Sequence, residues 1–79
     1  MEALTQHIVE LMVDKLEVPA ASLGLDVDFE SMGLDSLVLV QLAVLLSRRY
    51  GISLDDAELL DAKTIENTAT LLQAKGARV

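Results

Sequence analysis

The sequence contains no cysteine and no tryptophan, a single proline, and only two aromatic residues, Phe29 and Tyr50. Without cysteine there is no disulfide framework, no thiolate metal site and no cysteine nucleophile. Scarce proline, with Leu, Val and Ala abundant, favours helices over a sheet sandwich. Basic residues are also few: 6 against 13 acidic ones, for a formal net charge of −7. Such a surface repels phosphate backbones and argues against nucleic-acid binding. It suits basic patches on partner proteins, or serves solubility alone. The longest apolar run, Leu42 to Leu46, is far short of the roughly 20 residues that span a bilayer. No basic segment followed by an apolar one opens the chain, as a secretory signal would. The expectation is a cytoplasmic protein with no membrane partner.

Two further absences concern chemistry. His7 is the only histidine. It falls on the polar or boundary side of the first helix with nothing nearby to complete a metal site or a triad, and reads as an exposed residue. Asp26-Val27-Asp28-Phe29-Glu30 begins like a calcium loop. Ser31 stands where such a loop needs its glycine, however, and Leu37 where it needs its closing glutamate. No metal site and no catalytic residue is expected.

What is present is aliphatic. The chain has 79 residues and is 52% hydrophobic, enough for one compact domain over 1–79 with a small core. A first helix is expected from Glu2 to Leu16, with Leu4, Ile8, Met12 and Leu16 inward and Gln6, Glu10, Asp14 and Glu17 outward. Lys15 shares the face of Leu4, Ile8 and Leu11 but completes the stripe less well than Met12 and Leu16 do. Pro19 should stop the helix, because the residue before a proline is pushed out of the α region. A long connection from Pro19 to Asp35 follows, carrying Leu23, Leu25, Val27, Phe29 and Met32 to pin it to the core.

A second helix is expected from Ser36 to Tyr50, closed by Gly51, with Arg48 and Arg49 complementing the dipole in its last turn. Ser53 reads as the cap of a short third helix with Asp55 and Asp56 in its first turn. Thr64 caps a fourth, with Ile65, Ala69 and Leu72 inward and Gly76 at its end. The fold class is therefore all-α, a small four-helix bundle of three main helices plus a short third one, with a long first loop.

On a wheel of about 100° per residue, Leu39, Leu42, Ala43, Leu46 and Tyr50 form the core face of the second helix, opposite Gln41 and Arg48. Leu37, Val40 and Val44 are then left on the side where water is expected. Either the long loop covers them, or they are a docking face that begins one residue after Ser36.

Gly33-Leu34-Asp35-Ser36-Leu37 occupies the junction between that loop and the helix. Ser36 stands where unsatisfied backbone N–H groups and the positive dipole end favour an anion, so a phosphodiester on its hydroxyl would be well placed. Gly33 gives the turn conformational freedom, and Asp35 is positioned to meet a metal ion or a basic group on a modifying enzyme. A plain N-cap is the competing reading of Ser36, and Asp35 fits that role too. Leu39 leaves a capping box incomplete. The residues themselves leave both readings open.

The segment Asp28-Phe29 with Met32-Gly33-Leu34-Asp35-Ser36-Leu37, then Val40-Gln41-Leu42, resembles the acyl carrier protein family. The likeness extends through Tyr50-Gly51-Ile52 and Thr64-Ile65-Glu66-Asn67, covering about Leu4 to Leu72. Asp-Ser-Leu alone is a weak motif; its placement among all four helices is specific. The resemblance implies that Ser36 bears a 4'-phosphopantetheine arm, with Asp35 and Gly33 beside it. A phosphopantetheinyl transferase would attach the arm from coenzyme A with magnesium. Acyl groups would ride as thioesters on the arm's thiol. The implied partners are that transferase, an acyltransferase or ligase that loads the arm, and a ketosynthase or other downstream enzyme. The carrier itself would be a monomer and no enzyme.

One departure from the family stands out. Carriers of bacterial fatty acid synthesis have an acid-rich second helix. Here Asp35 is the only acid near it, and Arg48-Arg49 closes it. The acids lie instead at Asp26, Asp28 and Glu30, and at Asp55, Asp56, Glu58 and Asp61. The implication is a carrier of a polyketide or related specialised pathway, docking through Leu37, Val40, Val44 and Arg48. Peptidyl carriers usually have Gly or His where this chain has Leu34-Asp35, which favours acyl cargo. Freestanding aminoacyl carriers share the Asp-Ser pattern and stay open as an alternative, as does a non-covalent helical adaptor. Met1 and the tail from Ala74 to Val79 fit a freestanding protein or a domain of a larger synthase.

Overall fold

The structure, a computed structural model, describes residues 2–77, with Glu2 by its backbone alone. Met1, Arg78 and Val79 lie outside the described residues. Four helices follow one another: α1 (Glu2–Asp14), α2 (Ser36–Tyr50), α3 (Asp56–Ala62) and α4 (Ile65–Ala74). No strand occurs among the described residues. The all-α bundle expected from the sequence is what forms.

The helices close over one aliphatic core. Ile8 and Met12 of α1, Leu42 and Leu46 of α2, and Ile65 and Leu72 of α4 are fully buried. Each such side chain contributes about 1.5–3 kcal/mol on leaving water. α1 packs on α4 and α2, while α3 bridges α2 and α4. The inward stripe expected for α4 (Ile65, Ala69, Leu72) is buried throughout, and Thr68 joins it by returning its hydroxyl to the Thr64 carbonyl at 2.7 Å.

Helix ends follow local chemistry. Gly51 closes α2 in the left-handed region (φ 64), a conformation that costs other residues a Cβ clash. Thr64 caps α4 by accepting the Asn67 N–H at 3.0 Å. Two boundaries differ from the sequence expectation. α1 stops at Asp14, two residues short of Leu16 and well before Pro19, because Glu17 turns left-handed (φ 57). The Val18 N–H then bonds back to the Met12 carbonyl at 2.9 Å, and Val18 enters the core. Pro19 therefore opens a single 3-10 turn at Ala20–Ser22 instead of ending a helix.

α3 begins later than expected, and its cap is Asp55, not Ser53. Leu54 is buried, and its carbonyl accepts the Ser47 hydroxyl at 3.1 Å, which holds the chain extended past Ser53. Asp55 and Glu58 then satisfy one another's backbone N–H groups, at 2.9 Å and 3.3 Å, in a capping box.

The long loop is pinned more narrowly than its five apolar residues suggested. Phe29 is buried, and Leu23 and Met32 lean against the core; Leu25 and Val27 stay exposed. Backbone bonds make up the difference, with Phe29 N–H donating to the Lys63 carbonyl at 2.8 Å and Glu66 N–H to that of Leu25 at 3.0 Å. His7 is also corrected. It is half-buried, and its Nδ1 lies 3.0 Å from the Tyr50 hydroxyl, tying α1 to the end of α2.

Candidate functional site

The loop delivers the chain to α2 through a tight series of turns. From Phe29 onward, the N–H groups of Met32, Gly33 and Leu34 donate back to the carbonyls of Phe29, Glu30 and Phe29 at 3.1, 3.0 and 3.2 Å. Gly33 takes φ +80 there, and a Cβ built on it would meet nothing within 4 Å. Backbone conformation, not space, is what requires glycine at this position. Because Phe29 is buried and bonded to Lys63, the whole approach to α2 is bolted to the end of α3.

Asp35 is the N-cap of α2: its Oδ1 accepts the Val38 N–H at 3.0 Å, and its carbonyl accepts that of Leu39 at 3.2 Å. The choice between Asp35 and Ser36 as cap is thereby decided for Asp35. Ser36 is the first residue inside the helix and is exposed. Its hydroxyl takes no hydrogen bond among the described residues. The N–H groups of Ser36 and Leu37 have no intrahelical acceptor, as the geometry of a helix start dictates. The result is a free hydroxyl at the positive end of a 15-residue helix with no acid in its first turn. That is a favourable place for a phosphodiester anion.

The face of α2 beyond Ser36 is open. Leu37 is 63% exposed, and Val40 and Val44 are 41% exposed each. The loop does not cover them. Arg48 continues the same side at the C-terminal end and is also exposed. The core face lies where the wheel put it, with Leu39, Leu42, Ala43 and Leu46 buried and Tyr50 at its edge.

Two hollows were not foreseen from the sequence. Leu60 of α3 is 45% exposed and helps line a hollow of about 190 Å³ with Phe29, Asp28, Glu30 and Lys63. Periodicity carries little signal in a helix of 7 residues, so Leu60 is not separable from the buried Leu59 by pattern. Lys15 and Leu16 line a second hollow against Val40 and Val44. The early stop of α1 brings them there, and that stop leaves no mark in the hydrophobic period.

Comparison with known proteins agrees with this geometry. Residues 6–72 match the family model described as a phosphopantetheine attachment site. An acyl carrier protein of Petrotoga mobilis is 35% identical over 75 residues, covering 94% of this chain and 88% of that protein. The polyketide-8 synthase acyl carrier protein 2 of Streptomyces avermitilis is 34% identical over 71 residues, covering 89% and 82%. An acyl carrier protein of Phytoplasma australiense is 32% identical over 69 residues, covering 86% and 91%. A capped helix start with a free hydroxyl, a match to an attachment-site family over most of the chain, and carriers of like length converge: the chain belongs to the acyl carrier protein family, which carries substrates on 4'-phosphopantetheine and is not itself catalytic.

Proposed function

We propose that Ser36 is the attachment point of 4'-phosphopantetheine and that residues 1–79 act as one monomeric cytoplasmic carrier domain. The observation that supports this best is the free Ser36 hydroxyl at the first position of α2, flanked by the Asp35 cap and presented by the Phe29-anchored turn. When bound, the arm supplies a terminal thiol on which acyl groups travel as thioesters, chemistry the cysteine-free chain lacks.

The chain's own residues have narrower tasks. Asp35 holds the first turn of α2 closed, fixing the backbone from which Ser36 projects. The unpaired N–H groups of the first turn stabilise negative charge on that oxygen's substituent. Leu37, Val40, Val44 and Arg48 provide the surface against which a phosphopantetheinyl transferase, a loading acyltransferase or ligase, and a downstream ketosynthase dock. Once docked, the tethered cargo reaches the enzyme at high effective concentration. The acid-free α2 and the likeness to a polyketide synthase carrier support a place in polyketide or related specialised-metabolite synthesis.

The test is direct. Incubation with coenzyme A, magnesium and a broad-specificity phosphopantetheinyl transferase should add one arm by intact mass, and Ser36→Ala should abolish the addition. An unmodified wild-type chain, or an arm that still attaches to the Ser36→Ala variant, would overturn the assignment.

A further inference from the structure

The exposed face of α2 runs between α3 on one side and the end of α1 on the other. On one side lies α3, joined to α2 where the Ser47 hydroxyl bonds the Leu54 carbonyl. α3 carries Asp55, Asp56, Glu58 and Asp61, but Glu58 and Asp61 border a hollow against α4 and Glu58 is paired with Lys75, while Asp28 and Glu30 of the loop share their hollow with Lys63. Leu45 lies about 160° around the helix from Ser47, and there the end of α1 approaches. Lys15, Leu16, Val40, Gln41, Val44 and Leu45 enclose an open hollow of about 410 Å³. Among the described residues its only charged wall is Lys15. Asp14 and Glu17 neighbour Lys15 in sequence, but neither lines the hollow. Arg48 is the next charge along α2. Among the described residues neither Lys15 nor Arg48 has a carboxylate partner; the ion pair found there joins Lys75 to Glu58.

An uncovered hollow of this size with aliphatic walls leaves a small molecule largely wetted, whereas a side chain projecting from a larger surface would seal it. The charge beside it selects the kind of surface. A basic partner residue placed there would meet Lys15 and Arg48 with like charge, while a carboxylate would complete them. The net charge of −7 still attracts basic surfaces from a distance, but a group seated in the hollow meets the charge that lines it, which is that of Lys15.

We infer that the hollow between α1 and α2 receives an apolar side chain of a partner protein with a carboxylate beside it, paired with Lys15 and Arg48. The partner's docking face is therefore acidic where it meets the end of α1. The inference deepens the carrier reading by naming the chemistry of its docking partner, and it rests on that reading for calling the surface a docking face.

Two stapled helical peptides of about 14 residues provide the probe. Both carry the same leucine stripe; one is rimmed with glutamate, the other with lysine. Titrated into the full ¹⁵N-labelled chain, the glutamate-rimmed peptide should shift the amides of Lys15, Leu16, Val40 and Val44. The double variant K15E/R48E should weaken its binding roughly five-fold, the scale of two exposed charge contacts. The lysine-rimmed peptide should leave those amides largely unshifted. Equal shifts at the hollow from both peptides would overturn the inference, as would an affinity for the glutamate-rimmed peptide unmoved by K15E/R48E. Should the neutral variant K15Q/R48Q weaken that peptide as well, loss of attraction is responsible and not distortion by the new acids. None of these titrations needs the arm, so a chain that fails to accept phosphopantetheine sinks the carrier reading while the charge preference is still read.

Discussion

Replacing Phe29 with alanine is expected to cost about 3–5 kcal/mol, the range for removing a fully buried aromatic ring. Phe29 is 2% exposed and is the only phenylalanine of the chain. Its backbone is also the bolt between the loop and α3, through the 2.8 Å bond to the Lys63 carbonyl. A chain of 79 residues has a total stability of about 4–12 kcal/mol, so the loss would consume a large part of it. Because the chain has no tryptophan, unfolding is best followed by helical circular dichroism in urea. At a slope of about 1 kcal/mol per molar, the midpoint should fall by about 3 M or the variant should be unfolded at zero urea. Phe29→Leu should retain the fold at a cost of about 1 kcal/mol. In that milder variant the amides of Phe29 and Glu66 should exchange faster, and arm attachment at Ser36 should slow. A Phe29→Ala loss below about 1.5 kcal/mol with an unchanged slope would refute the claim that this ring anchors the approach to α2.

Three further outcomes are expected. Val40→Asp should leave stability within about 1 kcal/mol of the parent, since Val40 is 41% exposed. It should slow acyl transfer to a ketosynthase about five- to thirty-fold, and unchanged transfer would argue against α2 as the docking face. Asp35→Ala should lower stability by about 1 kcal/mol in urea unfolding through loss of the cap on Val38 N–H, while Asp35→Asn should recover most of it. Tyr50→Phe should cost about 1 kcal/mol by removing the 3.0 Å bond to His7, and the His7 ring resonances should move; a neutral effect on both would show that the contact contributes nothing.

Much of this molecule follows from its sequence. The period of Leu39, Leu42, Ala43 and Leu46 places the buried face of α2, because that spacing puts them on one side of the helix opposite Gln41 and Arg48. Gly51 and Thr64 mark helix ends for local reasons, a left-handed backbone and a side-chain oxygen in reach of an orphan N–H. The same local logic picks out the Gly33–Ser36 junction, and family resemblance supplies the arm that the residues themselves do not name.

Tertiary packing decided the rest. The end of α1 depends on Val18 reaching the core, which turns Glu17 left-handed and ends the helix before its period does. Asp35 becomes the cap, and not Ser36, through a one-residue difference in where the chain enters the helix; both side chains are chemically able to cap, and only the path fixed by buried Phe29 separates them. Leu25 and Leu60 are as apolar as Leu23 and Leu59, yet they stay partly in water because each lines an open hollow, Leu25 against α1 and Leu60 beside Phe29, and not the core. The hollow between α1 and α2 is of the same kind. Lys15 and Val44 are 29 positions apart in the sequence and come together only because two helices cross, so their joint charge and shape are properties of the fold. The composition made an aliphatic helical bundle with a free serine at a helix start; the packing decided what lies on either side of it.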